Sequence, residues 1–426
     1  MSSSTTAVKS VNGQLFRNRF FQTILLSNVL LQVGIWVRNF AILLYVTDKT
    51  GNDPISVSLI SVAEFAPIFV FSFLGGTLAD RWLPKKTMIW CDFLSALSVF
   101  AVLLTIMFET WEAVYFATFI SAILSQFSQP SAMRLFKQHI APEQIQSAMA
   151  IFQTLMAVFM VAGPSLGVIV YQNFGIHTSI GVMGVAFLLS ALVLYRIPAD
   201  IRVTPTSGLK PHIWREMGEG LRYVWRSKVL RTLCGTFALA GLSIGIAQTL
   251  GLFVVTERLH QPKEFLQFIL MINGVAMLIG GASVMTLSKR VLPQRLLALG
   301  MLTGAMCTVG IGFSTSVTLT LILQFINGLF FPVVQVSIST LMLQWSDNAY
   351  IGRVNGVLGP MFVGMMVIMM AVAGPLKTVL PLVTIYSIAG LSMFVGMLVL
   401  IPIFSHKPAE RGESGEAQTP STISMH

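Results

Sequence analysis

The sequence predicts an all-α membrane protein of twelve transmembrane helices arranged in two six-helix halves. Three observations predict it. Apolar residues make up 54% of the 426-residue chain and charged residues only 10%, against about 25% charged in an ordinary soluble protein. The apolar residues fall in long runs nearly free of charge, matching the roughly 20 residues a helix needs to cross a hydrocarbon core about 30 Å thick. One long polar stretch, 197–231, bisects the chain, and short motifs echo across it. This composition excludes a soluble globular enzyme, a disordered protein and a nucleic-acid-binding module. A closed barrel is excluded as well, because barrel strands alternate apolar and polar residues, whereas these runs are apolar all round.

The runs follow in order. Residues 20–37 carry no charge, and the apolar character continues past Arg38 to about Val46. This first run is longer than the apolar part of a signal peptide and lacks a small-residue cleavage site, so it is expected to remain as a span. Residues 54–79 hold one charge, Glu64; residues 87–108 hold one, Asp92; residues 113–133 hold none. The stretch 144–195 is 52 residues without Asp, Glu, Lys or Arg, too long for one crossing, and the polar residues at 171–175 are expected to divide it. Runs 232–256 and 265–288 come next. A second long run, 296–346, is expected to divide near 312–316, and runs 354–376 and 378–405 complete the twelve.

Basic residues orient the chain. With both termini in the cytoplasm, all but five of the 27 Lys and Arg lie on the cytoplasmic side; Lys49, Arg258, Lys263 and Lys377 lie outside and Arg38 lies within the membrane. That bias is the positive-inside rule. The expected location of this multi-pass chain is a cell membrane, in a bacterium. The net charge of +10 then faces anionic lipid and needs no nucleic acid. The expected organisation is an N-terminal bundle at 1–196, a cytoplasmic linker at 197–231, a C-terminal bundle at 232–405 and a tail at 406–426. Within the linker, Ile213, Met217, Leu221 and Val224 recur at helical spacing, flanked by Trp214 and Trp225, with Arg215, Glu216, Glu219, Arg222 and Arg226 between them. The expected element is an amphipathic helix lying on the membrane surface.

The halves echo each other. Gly75-Gly76 followed by Leu83-Pro84-Lys85-Lys86 recurs as Gly280-Gly281 followed by Leu292-Pro293-Gln294-Arg295, and Ala162-Gly163-Pro164 recurs as Ala373-Gly374-Pro375. The segment from Gly75 through Asp80, Arg81, Lys85 and Lys86 resembles the loop 2–3 signature of the major facilitator superfamily, with Gly76, Leu78, Ala79, Asp80 and Arg81 in the pattern and Leu83 in place of its second glycine. Gly163, Pro164 and Gly167 resemble the Gly-Pro-x-x-Gly core of the span-5 signature of exporters in that family. The span-4 Arg-x-x-Gln-Gly signature of its proton-coupled antiporters is absent; Gln126, Gln129 and Arg134 stand in that region. Pro130 to Arg134, Pro142-Glu143, Gln344 and Arg353 look like the branch of macrolide and enterobactin exporters. The resemblance implies the major facilitator fold, alternating access, and a cytoplasmic latch built on Gly76, Asp80, Arg81, Lys85 and Lys86.

Charges inside a bilayer are costly and default to functional candidates. Arg38 stands about 12 Å from the outer end of span 1 and Glu64 about 15 Å from that of span 2, at about 1.5 Å per residue, so the two can pair and line a cavity, with Glu64 handling a coupling proton. Asp92 and Arg134 form a second candidate pair, acting as a gate. Asn39, Gln126, Gln153, Gln248, Asn273 and Asn327 are candidate cavity residues. Cys91, Cys234 and Cys307 sit inside apolar runs, no phosphate loop or ligand cluster of His and carboxylates occurs, and no cofactor, metal site or catalytic constellation is expected. The expected activity is proton-driven export of small amphipathic molecules of drug or siderophore type by a monomer. A lipid flippase or a small-solute importer on the same fold is the alternative.

Overall fold

The computed structural model describes residues 15, 17–79, 82–108, 110–197, 213–287, 291–347 and 350–402. Every regular element among them is helical. Helix α1 (Arg19–Thr50) opens on Asn18, whose side chain accepts the Phe20 amide at 2.9 Å and so satisfies one of the orphan donors of a helix start. Asp53 precedes α2 (Pro54–Ala79) and accepts the amide and hydroxyl of Ser56 at 2.8 and 2.6 Å. Partial burial opposes the Asp53 charge, but hydrogen bonds from Ser56 and Ile55 outweigh it and hold the carboxyl below the ordinary carboxylate range. Proline also begins α3 (Pro84–Met107), α5 (Pro142–Tyr195) and α9 (Pro293–Phe313), where its missing N–H would be unpaired anyway. The remaining helices are α4 (Ala113–His139), α6 (Ile213–Arg226), α7 (Lys228–Phe253), α8 (Leu266–Leu287), α10 (Val317–Trp345), α11 (Ile351–Val379) and α12 (Leu382–Val399). A π turn (Val254–Arg258) and a short 3₁₀ turn (Lys263–Phe265) join α7 to α8.

Ten of these helices are long and apolar enough to cross a membrane. One of the ten, α5, has 54 residues, about 81 Å at about 1.5 Å per residue, which is more than two hydrocarbon thicknesses. It turns at Gly175, whose φ of 73° and ψ of −176° lie in a region essentially closed to residues with a side chain. The first limb starts with Ala148 packed beside Phe20 and Phe21 and ends with Tyr171 bonded to Asp48; the second returns until Ser190 meets Ser27. α4 is less apolar because Ser125, Gln126, Ser128, Gln129 and Ser131 interrupt it, yet its 27 residues span the same distance. With α5 counted twice and α4 included, the described residues make twelve crossings. Both expected divisions of the long runs are present, at Gly175 and between α9 and α10. The even count puts the start of α1 and the end of α12 on one side, the terminal face; the opposite side, where α1 ends and α2 begins, is the far face.

The packing repeats. In the first half α1 packs on α5, α2 on α4, and α3 on both α4 and α5; in the second, α7 packs on α11 and α12, α8 on α10, and α9 on both α10 and α12. The halves meet through α2 with α11 and α5 with α8, a symmetric pair of contacts of the kind that parallel repeats produce. Between membrane helices there is little hydrophobic driving force, so small residues that admit a close backbone approach matter most. A β-carbon at Gly167 of α5 would stand 2.6 Å from the carbonyl oxygen of Trp36 on α1. In the second half the glycines have changed helix: Gly241 and Gly245 lie on α7, each 2.5 Å by the same measure from the carbonyls of Phe362 and Met366 on α11. The echoed Ala-Gly-Pro motifs therefore make different contacts. Gly163 packs on Trp36 inside its own half, whereas Gly374 packs on Pro54 and Ser58 of α2, across the boundary.

These contacts give a direct test. Gly167→Ala should destabilise the protein by about 1–3 kcal/mol, the usual cost of overpacking, whereas Gly181→Ala, with nothing within 4 Å of the new carbon, should leave the melting temperature unchanged or raised. Thermal unfolding in detergent or nanodiscs measures both.

Candidate functional site

The site begins with two adjacent residues on α1. Arg38 and Asn39 face α2 and α4, which supply Glu64 and Ser121. The Arg38 Nη2 lies 3.5 Å from Glu64 Oε1, its Nε donates to Asn39 Oδ1 at 2.9 Å, and its Nη1 donates to Ser121 Oγ at 3.1 Å. Asn39 in turn donates from Nδ2 to the same Glu64 Oε1 at 3.0 Å. Charge-assisted N–H···O bonds are usually about 2.7–2.9 Å, so the ion pair is slack and Asn39 is the closer partner of the carboxylate. Arg38 is 4% exposed and Glu64 25%. The guanidinium is sealed between helices while the carboxylate is partly exposed. Among the described residues no hydrogen bond reaches Glu64 Oε2. The cluster thus holds a fixed buried cation and a carboxylate with one oxygen free to take a proton or a polar ligand.

The second expected pair is not made. Asp92, 4% exposed, accepts the Ser190 hydroxyl at 2.6 Å, and Ser190 lies 2.8 Å from Ser27, giving a polar chain from α3 through α5 to α1. Arg134 instead donates to the carbonyl of Trp82 at 3.3 Å. The expectation of an Asp92–Arg134 gate is therefore corrected. Asp92 sits on the α5 side of α3, eight residues or about 12 Å along the helix from Pro84, whereas Arg134 reaches towards the link between α2 and α3.

The latch residues are only partly in view. Asp80 and Arg81 lie outside the described residues, and Gly76 is on the last turns of α2. Lys85 donates to the carbonyls of Tyr195, at 3.0 Å, and of Ile197, and its ammonium stands 5.3 Å above the Tyr195 ring. A lysine on the free carbonyls of a helix end is a favourable cap, so Lys85 ties the start of α3 to the end of α5. Lys86 is exposed. Pro164 does not interrupt α5; Gly163 and Gly167 serve close packing on Trp36 and Phe40.

The candidate cavity amides are dispersed. Asn39 belongs to the Arg38 cluster. Asn273 donates to the carbonyl and side-chain oxygens of Gln324 at 3.1 and 3.3 Å, joining α8 to α10. Gln126 reaches only its neighbour Ser125, at 3.3 Å, while Gln153 and Gln248 are exposed. Asn327 lines a cavity of about 70 Å³ together with Phe237, Ser243, Phe331, Gln335 and Phe362.

The sequence reading missed a polar cluster that closes the far face. Lys263 pairs with Asp48 and donates to the Leu44 carbonyl at 3.2 Å, and Tyr171 donates to Asp48 at 3.1 Å. Lys377 pairs with Glu257 at 2.9 Å. Val57 of α2 sits in one apolar cluster with Ile246, Leu250 and Phe253 of α7 and Ala373 of α11, so here the halves are joined by both charge and oil. The signal was present but weak: Asp48 and Lys263 are charges at the outer ends of runs, where an isolated charge has no cost to explain.

Two outcomes follow from this geometry. Arg38→Gln should cost little beyond lost packing, whereas Glu64→Leu strands a buried guanidinium and should cost about 3–5 kcal/mol; the Arg38→Met change added to Glu64→Leu should recover most of that loss in a melting experiment. Lys263→Gln should loosen the far face and raise, several-fold, the rate at which a membrane-impermeant thiol reagent labels a Ser58→Cys variant.

Comparison with known proteins gives a family to this fold and site. The Major Facilitator Superfamily model matches residues 24–369. The multidrug efflux pump Tap of Mycolicibacterium fortuitum is 24% identical over 336 residues, covering 76% of this chain and 81% of its own. Macrolide efflux protein A of Streptococcus pyogenes is 29% identical over 208 residues, 48% of this chain and 49% of its own. The crystal structure of the nucleoside transporter NupG superposes with a TM-score of 0.73 at 15% identity, over 92% of this chain and 100% of that one, a likeness of fold alone. Twelve crossings in two like-packed halves, a charged cluster inside the membrane and a family match over most of the chain lead to one statement: this chain belongs to the Major Facilitator Superfamily and is a membrane transporter.

Proposed function

We propose that the protein exports small amphipathic molecules by alternating access, exchanging them for protons at Glu64. The observation that carries this reading is the Arg38–Asn39–Glu64 cluster, a sealed cation beside a carboxylate that is still open on one oxygen. With Glu64 ionised, the cluster is neutral and the carboxylate is held towards α1. With Glu64 protonated, Arg38 loses its counter-charge, and the strain of a lone buried cation favours a different arrangement of α1 and α2. A bound substrate that competes for Glu64 displaces the proton, which couples the two movements. The charged closure of the far face by Asp48 and Lys263 is the counterpart of one of the two states such a cycle needs.

Direction and cargo draw support from the relatives, whose names speak of macrolide and multidrug efflux. The same reading places the protein as a monomer in a bacterial cell membrane, with the terminal face in the cytoplasm and bundles at 1–196 and 232–405 on either side of the linker.

Accumulation assays in cells stripped of their own pumps, using a lipophilic dye and a macrolide with and without a protonophore, test the whole proposal. The protein should lower accumulation, and the protonophore should abolish the effect. Glu64→Gln should cut proton-coupled efflux at least tenfold and flatten its dependence on pH. Undiminished, still pH-dependent efflux from Glu64→Gln would end the proton role; raised accumulation in cells carrying the wild-type protein would replace export with import.

A further inference from the structure

The linker helix α6 is fastened to the second half along one side. A β-carbon at Gly220 would stand 2.9 Å from the carbonyl oxygen of Arg353 at the start of α11. Glu219 pairs with the Arg353 guanidinium at 3.3 Å. The Tyr223 ring stacks on Tyr350, centroids 4.4 Å apart and planes at 6°, and its hydroxyl donates to Asp347 at 3.0 Å. Val224 is fully buried with Val229, Leu230 and Val354. The Gly220–Val224 side of the helix is thus spent on protein.

The rest of α6 is open. Leu221 is 49% exposed and Trp225 56%. Arg222 and Arg226 are exposed, and among the described residues neither has an ion-pair or hydrogen-bond partner. At about 100° per residue, three faces follow one another around the helix: the docked face of Gly220 and Val224, an apolar column of Leu221 and Trp225, and a basic column of Arg215, Arg222 and Arg226. Exposed Lys228 and Arg231 continue the positive charge into α7. A solvated linker has no use for an uncovered tryptophan beside a leucine. A helix at a lipid boundary needs that order, with apolar groups at the acyl level and arginines at the phosphates.

We propose that this arc binds anionic phospholipid of the adjacent leaflet, with Arg222 and Arg226 on headgroup phosphates and Trp225 and Leu221 at the acyl boundary. Through Glu219–Arg353 and Tyr223–Tyr350 the bound lipid steadies the start of α11, the helix that meets α2 across the two halves. The binding is independent of cargo and direction and rests only on the membrane fold.

Nanodiscs test it with the full chain. Replacing part of the phosphatidylcholine by phosphatidylglycerol should raise the melting temperature of the wild-type protein. Arg222→Gln with Arg226→Gln should keep the phosphatidylcholine value and lose most of that rise, and native mass spectrometry should show its preference for retained phosphatidylglycerol falling about tenfold or more, in line with the contribution of each basic residue near a charged membrane. Added salt should shrink the wild-type rise, which reads the same interaction without any substitution, and Lys49→Gln on the far face should behave as wild type. An unchanged phosphatidylglycerol response in the double variant, or none in the wild type, overturns the proposal. So does an equal rise produced by soluble glycerol phosphate, which would make the site one for free phosphate.

Discussion

A guanidinium that cannot leave the membrane interior constrains this molecule more than any other single group. Arg38 is almost wholly buried, and a charge so placed must be matched within hydrogen-bond reach. Three helices answer it: α1 with Asn39, α2 with Glu64 and α4 with Ser121. Because the carboxylate is both the counter-charge and the exposed member of the cluster, any event at its free oxygen is felt by the cation, and through it by the packing of α1, α2 and α4. A transport cycle needs that kind of linkage, in which a small chemical change in the interior alters which helix arrangement is cheaper.

Around that cluster the helices are held by shape. The close approaches of α5 to α1 and of α11 to α7 are made by glycines on opposite members of the equivalent pairs, Gly167 on α5 and Gly241 and Gly245 on α7. The two halves therefore share an arrangement of helices without sharing the side chains that produce it. Their boundary is different in character. It combines the backbone contact of Gly374 with Pro54, the apolar cluster around Val57, and the Asp48–Lys263 pair. Contacts of mixed kind, with charges at the rim, can separate into water more readily than an all-apolar seam, and this is the seam that the proposed alternating access would open.

Much of the fold could be read from the chain because a bilayer imposes a length and forbids charge. The runs, their two internal divisions and the polar bisector follow from that rule alone. The depth arithmetic that set Arg38 against Glu64 succeeded for the same reason: on antiparallel neighbours, depth is nearly a coordinate. It failed for Asp92 and Arg134 because depth says nothing about which way around a helix a side chain points, and Asp92 points at Ser190 on α5. Ser121 and Asn39 show the same limit from the other side. Serines and amides are frequent in these runs, and only the rotation of α4 and α1 selects the ones that meet Arg38. Linker helix α6 was legible as amphipathic, but its apolar pattern could not reveal that Val224 would be covered by protein and Trp225 left bare.

The turn at Gly175 has a parallel in the second half. The fifth and sixth crossings are joined by one residue, leaving no slack between them, so the first half has a stiff spine on which α1 is packed along both limbs. Its counterpart, the passage from α11 to α12, is the two-residue link Leu380–Pro381; the passage from α7 to α8, by contrast, is a π turn and a 3₁₀ turn that carry Glu257 and Lys263, one from each ion pair of the far face. Each half therefore doubles back tightly between its last two crossings, and the charges of the far face sit on the longer passage that joins α7 to α8.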